Sequence, residues 1–205
     1  MKLLVATRSA GKAREIRDLF AGLPFELVFP ADQFLARLPE EADLEASAGY
    51  VENAVAKARY FATRGGLPTV ADDSGIEVDA LEGAPGARSA RWAGGERGGP
   101  GGDAANNALL LEKLAGVPEE RRTARYRCVV AFLAAPSGVP EIVEATCEGI
   151  ILTEPRGQGG FGYDPLFYCP ELQMTFGEGP PAAKHRVSHR GRAFRALIEV
   201  LLRRA

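Results

Sequence analysis

"VADDSGIEVDALEGAPGARSARWAGG", residues 70–95, begins as a buried strand and delivers two adjacent carboxylates, Asp72 and Asp73, into Ser74 and Gly75. Residues 67–71 before the pair and Ile76 to Val78 after it both read as strand, so a turn is expected between them. Two like charges taken out of water need a counter-charge, and a divalent cation such as Mg²⁺ is the simple remedy. The competing reading is an Asx-type turn, in which Asp72 or Asp73 bonds backbone amides ahead of Gly75. Local chemistry leaves both readings open.

Working outward from this segment, strands and helices alternate. Residues 2–6 form an apolar strand, and Ala13, Ile16, Leu19 and Phe20 recur at helical spacing from Gly11 onward. Residues 25–29 read as a second strand, followed by an acidic loop carrying Glu40, Glu41, Asp43 and Glu45. Val51, Ala54, Val55, Ala58, Phe61 and Ala62 make one apolar stripe on a helix from about Gly49 to Arg64, with Asn53 and Lys57 on a different face. A glycine-rich loop from Gly94 to Gly102 precedes a helix from about Asp103 to Leu114. Tyr126–Ala134 and Glu141–Leu152 flank "AAPSGVP" and read as an antiparallel hairpin, and Ser188 is the expected N-cap of an amphipathic closing helix. The order predicts an α/β fold with a mixed sheet, as a single domain over residues 1–205.

The 205 residues suffice for a genuine core, and 46% hydrophobic with 25% charged residues is the composition of a globular chain. A formal net charge of −2 supplies no basic field for a nucleic-acid polymer. Without a membrane-length apolar run or a signal-like N-terminus, the reading is cytoplasmic. Cys128, Cys147 and Cys169 lack metal or redox spacing and are expected as buried, reduced thiols.

Four polar segments carry the chemistry. "TRSAGK", Thr7, Arg8, Ser9, Ala10, Gly11 and Lys12, lies between the first strand and helix, where a helix N-terminus suits phosphate; Ala6 and Ala13 exclude a Walker A frame. The bland alternative there is an ordinary capped helix start. The second segment is the Asp72–Asp73 pair. In "GQGGFGYDPLFY", residues 157–168, Phe161 and Tyr163 offer flat faces to a nucleobase, against the reading that the aromatics cap the core. "KHRVSHRG", residues 184–191, gathers both histidines of the chain with Lys184 and Arg190, although cations normally favour the other end of a helix. Together these are the parts of a Mg²⁺-nucleotide site.

"ADDSGIEVDALEGAPGARSARWAGG", "GGFGYDPLF" and "SHRG", in this order, resemble the Ham1-like inosine/xanthosine triphosphate pyrophosphatases, nearly end to end. The resemblance implies an ITPase-like α/β fold, an elongated mixed sheet flanked by helices with two lobes around a central cleft, usually as a homodimer. It implies hydrolysis of the purine nucleoside triphosphates ITP, dITP and XTP to monophosphate and pyrophosphate with Mg²⁺. By matching motifs, Asp73 takes the place of the catalytic acidic residue and metal ligand, and Ser74 that of a substrate contact. Thr7 to Lys12 match the triphosphate turn, Phe161, Gly162, Tyr163 and Asp164 the base loop, and Lys184, His189 and Arg190 further substrate contacts. Lys57 is a candidate phosphate ligand. Glu45 best matches the second metal ligand, with Glu41 the alternative, and Arg8-Ser9 replace the family's usual Gly-Asn. Two rival functions fit the same parts: a pyrophosphatase for another modified nucleotide, and a nucleotide-binding module without turnover.

Overall fold

The computed structural model describes residues 1–94 and 100–204, so most of the expected glycine-rich loop at 94–102 lies outside the described residues. Strands β1 (Lys2–Val5), β2 (Glu26–Val28), β3 (Thr69–Val78), β4 (Pro85–Gly86), β5 (Thr123–Leu133), β6 (Glu141–Ile151), β7 (Phe167–Cys169) and β8 (Met174–Thr175) form one sheet. Its order is β2-β1-β3-β5-β6-β7-β8, with β4 paired to β3. β1 runs parallel to β2 and β3, whereas β4 on β3, β7 on β6 and β8 on β7 are antiparallel, which makes the sheet mixed as expected. The helices are α1 (Ala10–Leu19), α2 (Tyr50–Gly65), α3 (Pro100–Lys113), α4 (Pro181–Val187) and α5 (His189–Leu202).

The chain divides into two compact units. The first comprises Met1–Asp73, Cys128–Ala145 and Ala193–Ala205, the second Ser74–Arg127 and Thr146–Arg192. The core of the first joins Leu3 and Val5 of β1, Ile16 of α1, Val70, Val130, and Phe194 and Leu197 of α5. The core of the second joins Ile76 and Val78, Leu110 and Leu114 of the α3 end, Cys147, Tyr163, Phe167 and Phe176. Arg122 ties down the turn that follows α3, donating to the carbonyls of Leu114 and Val117, each at 2.9 Å. Cys128, Cys147 and Cys169 are buried and form no disulfide among the described residues; the fold brings the Cys147 and Cys169 sulfurs to 3.9 Å, a proximity their spacing does not announce.

The opening segment departs from its sequence reading. No turn interrupts Ser74-Gly75: β3 runs through all ten residues, and Asp72 and Asp73 are each 2% exposed in mid-strand. Glycine is required at 75 by close approach, since a Cβ there would lie 2.1 Å from the Gly86 carbonyl oxygen and 2.7 Å from Ser89 Oγ. Ser89 bonds both strands, accepting from Ile76 N–H of β3 at 2.8 Å and donating to the Gly86 carbonyl of β4 at 2.6 Å.

Two further elements differ. The acidic loop contains a 3₁₀ turn, Pro39–Glu45, and the basic segment is split between α4 and α5. Lys184, His185 and Arg186 thus occupy the last turn of α4, the end that favours cations. Ser188 is extended and caps α5 as expected, its Oγ accepting from Gly191 N–H at 3.1 Å.

The Gly75→Ala variant is expected to lose about 1–3 kcal/mol through overpacking against backbone that cannot step aside. Thermal unfolding of the two proteins checks this; an unchanged midpoint would remove the close approach as the reason for Gly75.

Candidate active site

In the first unit, the turn after β1 is organised by its own side chains. Ser9 N–H donates to Thr7 Oγ1 at 3.2 Å, and Ser9 Oγ accepts from Lys12 N–H at 3.4 Å as the N-cap of α1. Ala10 and Gly11 then take the first two helical positions, whose N–H groups have no partner within a helix and lie at its positive end. Lys12 reaches Asp72, Nζ to Oδ2 at 2.8 Å.

Below this turn a charged centre is buried. Lys57 Nζ donates to Glu45 Oε1 at 2.5 Å, to the Asp72 carbonyl, and to Asp73 Oδ1 at 3.4 Å, which occupies all three ammonium hydrogens. Asn53, one turn earlier on α2, donates to Asp73 Oδ2 at 2.9 Å and holds both polar groups of the Ser47 backbone at 3.1 Å. Asn53 and Lys57 are 1% and 6% exposed: the face read as separate from the apolar stripe is buried as well, against β3. Among the described residues no group of three or more His, Cys, Asp or Glu could hold a metal unaided. Asp73 and Glu45 nevertheless converge on one cation, the Lys57 ammonium, and two carboxylates completed by water and phosphate oxygens are a donor set Mg²⁺ accepts.

Arg8, expected at the substrate, is engaged elsewhere. Its guanidinium holds both oxygens of Glu41, Nε at 2.6 Å and Nη2 at 2.7 Å, and also donates to the Leu35 carbonyl at 2.9 Å. Arg64 approaches the same carboxylate at 3.3 Å. Glu41, the alternative metal ligand, is therefore committed to two arginines, while Glu45 faces Lys57. Burial pushes the Glu41 carboxyl up, but the hydrogen bonds from Arg8 and Leu38 N–H with the two arginine charges hold it below its ordinary 4.5.

In the second unit, Asp164 organises the loop expected at the base. Its Oδ2 accepts from Phe161 N–H at 2.8 Å and from Lys184 Nζ at 2.5 Å. Lys184 Nζ lies 4.9 Å and the Arg190 guanidinium 5.6 Å from the centre of the Phe161 ring. Arg190 donates to Ser74 Oγ at 2.7 Å, and the His189 ring stacks on Tyr126 at 4.6 Å. Tyr163 departs from expectation: it is 3% exposed within the core and donates its hydroxyl to the Ser89 carbonyl at 2.9 Å, so its ring offers no face to a base. Burial, with the Asp103 charge adding to it, pushes its phenol up. Asp103 and Asn107 enter as residues the sequence does not single out, their one signal being a helical spacing of four; Asn53, which the sequence places only on a helix face with Lys57, gains Asp73 as its partner.

A mixed α/β protein with a buried acid–lysine centre beside a helix N-terminus, and an aromatic, cation-flanked loop, has the parts of a phosphate-directed enzyme. The chain belongs to the Ham1 family, whose model matches residues 3–200. A protein named dITP/XTP pyrophosphatase from Thioalkalivibrio sulfidiphilus is 50% identical over 203 residues, 98% of each chain. Another of that name from Thermus thermophilus is 47% identical over 199 residues, 97% of this chain and 91% of its own. Among solved structures, a HAM1 protein from Coxiella burnetii superposes with a TM-score of 0.85 at 35% identity, covering 99% of both chains. A nucleoside-triphosphatase / dITP/XTP pyrophosphatase from Mycobacterium abscessus gives 0.70 at 44% identity over 96% of this chain and 98% of that one.

Because Glu41 titrates low in the folded chain, the Arg8 clamp contributes stability above the ordinary carboxyl value and loses it as pH falls through the depressed one. Arg8→Gln is expected to be less stable than the parent by roughly 1 kcal/mol at pH 7, with the gap closing as pH drops below 4.5. Denaturant titrations at pH 7, 5 and 3 measure it; a gap that ignores pH would count against the clamp.

Proposed function

We propose that this chain is a house-cleaning hydrolase that converts dITP, XTP and ITP to the monophosphate and pyrophosphate, with all 205 residues forming one pyrophosphatase domain. The observation that carries the reading is the convergence of Asp73 and Glu45 on one buried cation, Lys57, beside the capped start of α1. The relatives named dITP/XTP pyrophosphatase, at 45–50% identity over nearly the whole chain, support the same chemistry.

The N–H groups of Ala10 and Gly11 and the Lys12 ammonium take the triphosphate, with Thr7 and Ser9 fixing the turn that presents them. Mg²⁺ bound by Asp73 and Glu45 would supply charge neutralisation at the phosphates. Asp73, oriented by Asn53, accepts the proton of the attacking water. The water oxygen bonds the α-phosphorus, the bond from that phosphorus to the bridging oxygen breaks, and pyrophosphate leaves. Lys57, bonded to Glu45, Asp73 and the Asp72 carbonyl, keeps the two carboxylates together; Asp72, tied to Lys12, stands behind Asp73.

On the base side, Phe161 offers a stacking face, and Arg190 and His189 are the candidate donors to a 6-oxo group, with Lys184 holding the loop through Asp164. A 6-amino group would set donor against donor and leave a polar pair unsatisfied, at about 1–3 kcal/mol. The proposal extends to a cytoplasmic homodimer. Among the described residues no helix is long and apolar enough to cross a membrane.

Incubation with ITP, XTP, dITP, GTP, ATP and dTTP, with and without Mg²⁺, tests the proposal by the pyrophosphate and phosphate released. Pyrophosphate from the first three, dependent on Mg²⁺, is expected; nucleotide binding without release would replace the enzyme by a binding module. Asp73→Asn should lower turnover at least about 100-fold while the far-ultraviolet spectrum is kept. Turnover near the parent's would take Asp73 out of the reaction.

A further inference from the structure

The first turns of α3 face the segment Phe161 to Asp164 with two polar side chains one turn apart. Asp103 Oδ2 accepts from Gly162 N–H at 2.7 Å, and Asn107 Nδ2 donates to the Gly162 carbonyl at 3.0 Å. Both polar backbone groups of one residue are thereby held from one helix. Gly162 has φ +63°, and a Cβ there would meet nothing within 4 Å, so conformation rather than space demands glycine. The neighbouring Asn106 turns the other way and accepts from Ala93 N–H at 2.8 Å, which leaves the 103–107 pair dedicated to the loop.

Asn107 supplies an independent observation. Its Oδ1 is buried with no hydrogen-bond partner among the described residues, so this side chain carries a desolvation cost while its amide serves Gly162 alone. The loop's other donors are also turned inward: Phe161 N–H goes to Asp164 Oδ2 at 2.8 Å, and Asp164 N–H to the Phe161 carbonyl at 3.3 Å. With Gly162 N–H on Asp103, three of the loop's backbone N–H groups are withheld from a ligand.

We infer that Asp103 and Asn107 are positioning residues for base recognition, clamping Gly162 so that the base meets the Phe161 ring and side-chain donors rather than loose backbone N–H groups. The inference rests on the proposed nucleotide pyrophosphatase reading. A backbone N–H donates to any base carbonyl, whereas a side-chain donor of fixed direction selects one; the clamp therefore acts on selectivity and on base affinity, not on the phosphates.

The test compares Asp103→Ala, Asp103→Asn and Asn107→Ala with the parent for KM and kcat on ITP and GTP, and for inhibition by tripolyphosphate, which has no base. Expected for Asp103→Ala is a rise in ITP KM of about tenfold, the size of one lost charge-assisted hydrogen bond, and a narrowed preference for ITP over GTP. Its kcat and its tripolyphosphate inhibition should stay near the parent's, and Asp103→Asn, which keeps an acceptor oxygen, should recover part of the loss. Parallel loss of ITP and tripolyphosphate affinity, or an unchanged ITP KM, would overturn the inference. If Asp103→Ala does not fold, Asn107→Ala at its half-buried helix position gives the same reading. A parent protein that binds ITP but releases no pyrophosphate fails the activity alone, since calorimetric binding of ITP and tripolyphosphate then separates base from phosphate in the same variants.

Discussion

The ammonium of Lys57 is the interaction on which the first unit's chemistry rests. Two carboxylates and a backbone carbonyl are buried around it, and a buried charge that lost its partner would cost about 3–5 kcal/mol. The lysine stem can lie in apolar surroundings because Ala54, Ala58 and Phe61 of the same helix are core residues. One helix therefore contributes both the packing that fixes its own position and the cation that keeps acids of β3 and of the 3₁₀ turn together. Asn53 adds direction: by holding one oxygen of Asp73 it settles which way the carboxylate faces.

Around that centre, charge is used for shape as much as for chemistry. Arg8 and Arg64 share Glu41 within the same acidic segment whose last residue, Glu45, meets Lys57. In the second unit Lys184 holds Asp164, and Asp164 in turn holds the start of its own loop. Each pair is a charge-assisted bond; Lys184–Asp164 and Lys57–Glu45 lie in places of limited solvent access, where such bonds are strongest and where leaving either partner alone is most costly.

The parts legible in the sequence are those with a period. The stripes of α1 and α2 and the β-branched runs of β5 and β6 carry local signals that tertiary contacts did not override. Ser74-Gly75 misled because a breaker pair reads as a turn unless the strand pressing on it is known, and β4 is two residues long with no strand signal of its own. At the site, Asp73, Glu45 and Lys57 were reached through motif resemblance, and helical spacing put Asn53 beside Lys57. What could not be read was long-range: Arg8 finds Glu41 across 33 residues, and Asn107 finds Gly162 across 55. Nor does a glycine-rich segment have a period that would tell an inward Tyr163 from an outward Phe161.

The uninterrupted strand through Asp72, Asp73, Ser74 and Gly75 sets a rule for how this chain can diverge. In a strand each residue added or lost turns every later side chain to the opposite face. Between Val70 and Ile76 the sequence can therefore change letters but not length: one inserted residue would turn Asp73 away from Lys57 or carry Gly75 off the Gly86 carbonyl. Loops such as the segment joining β5 to β6 have no such rule. Variation among descendants of this chain should accumulate there as insertions and deletions, while the acid strand keeps its count.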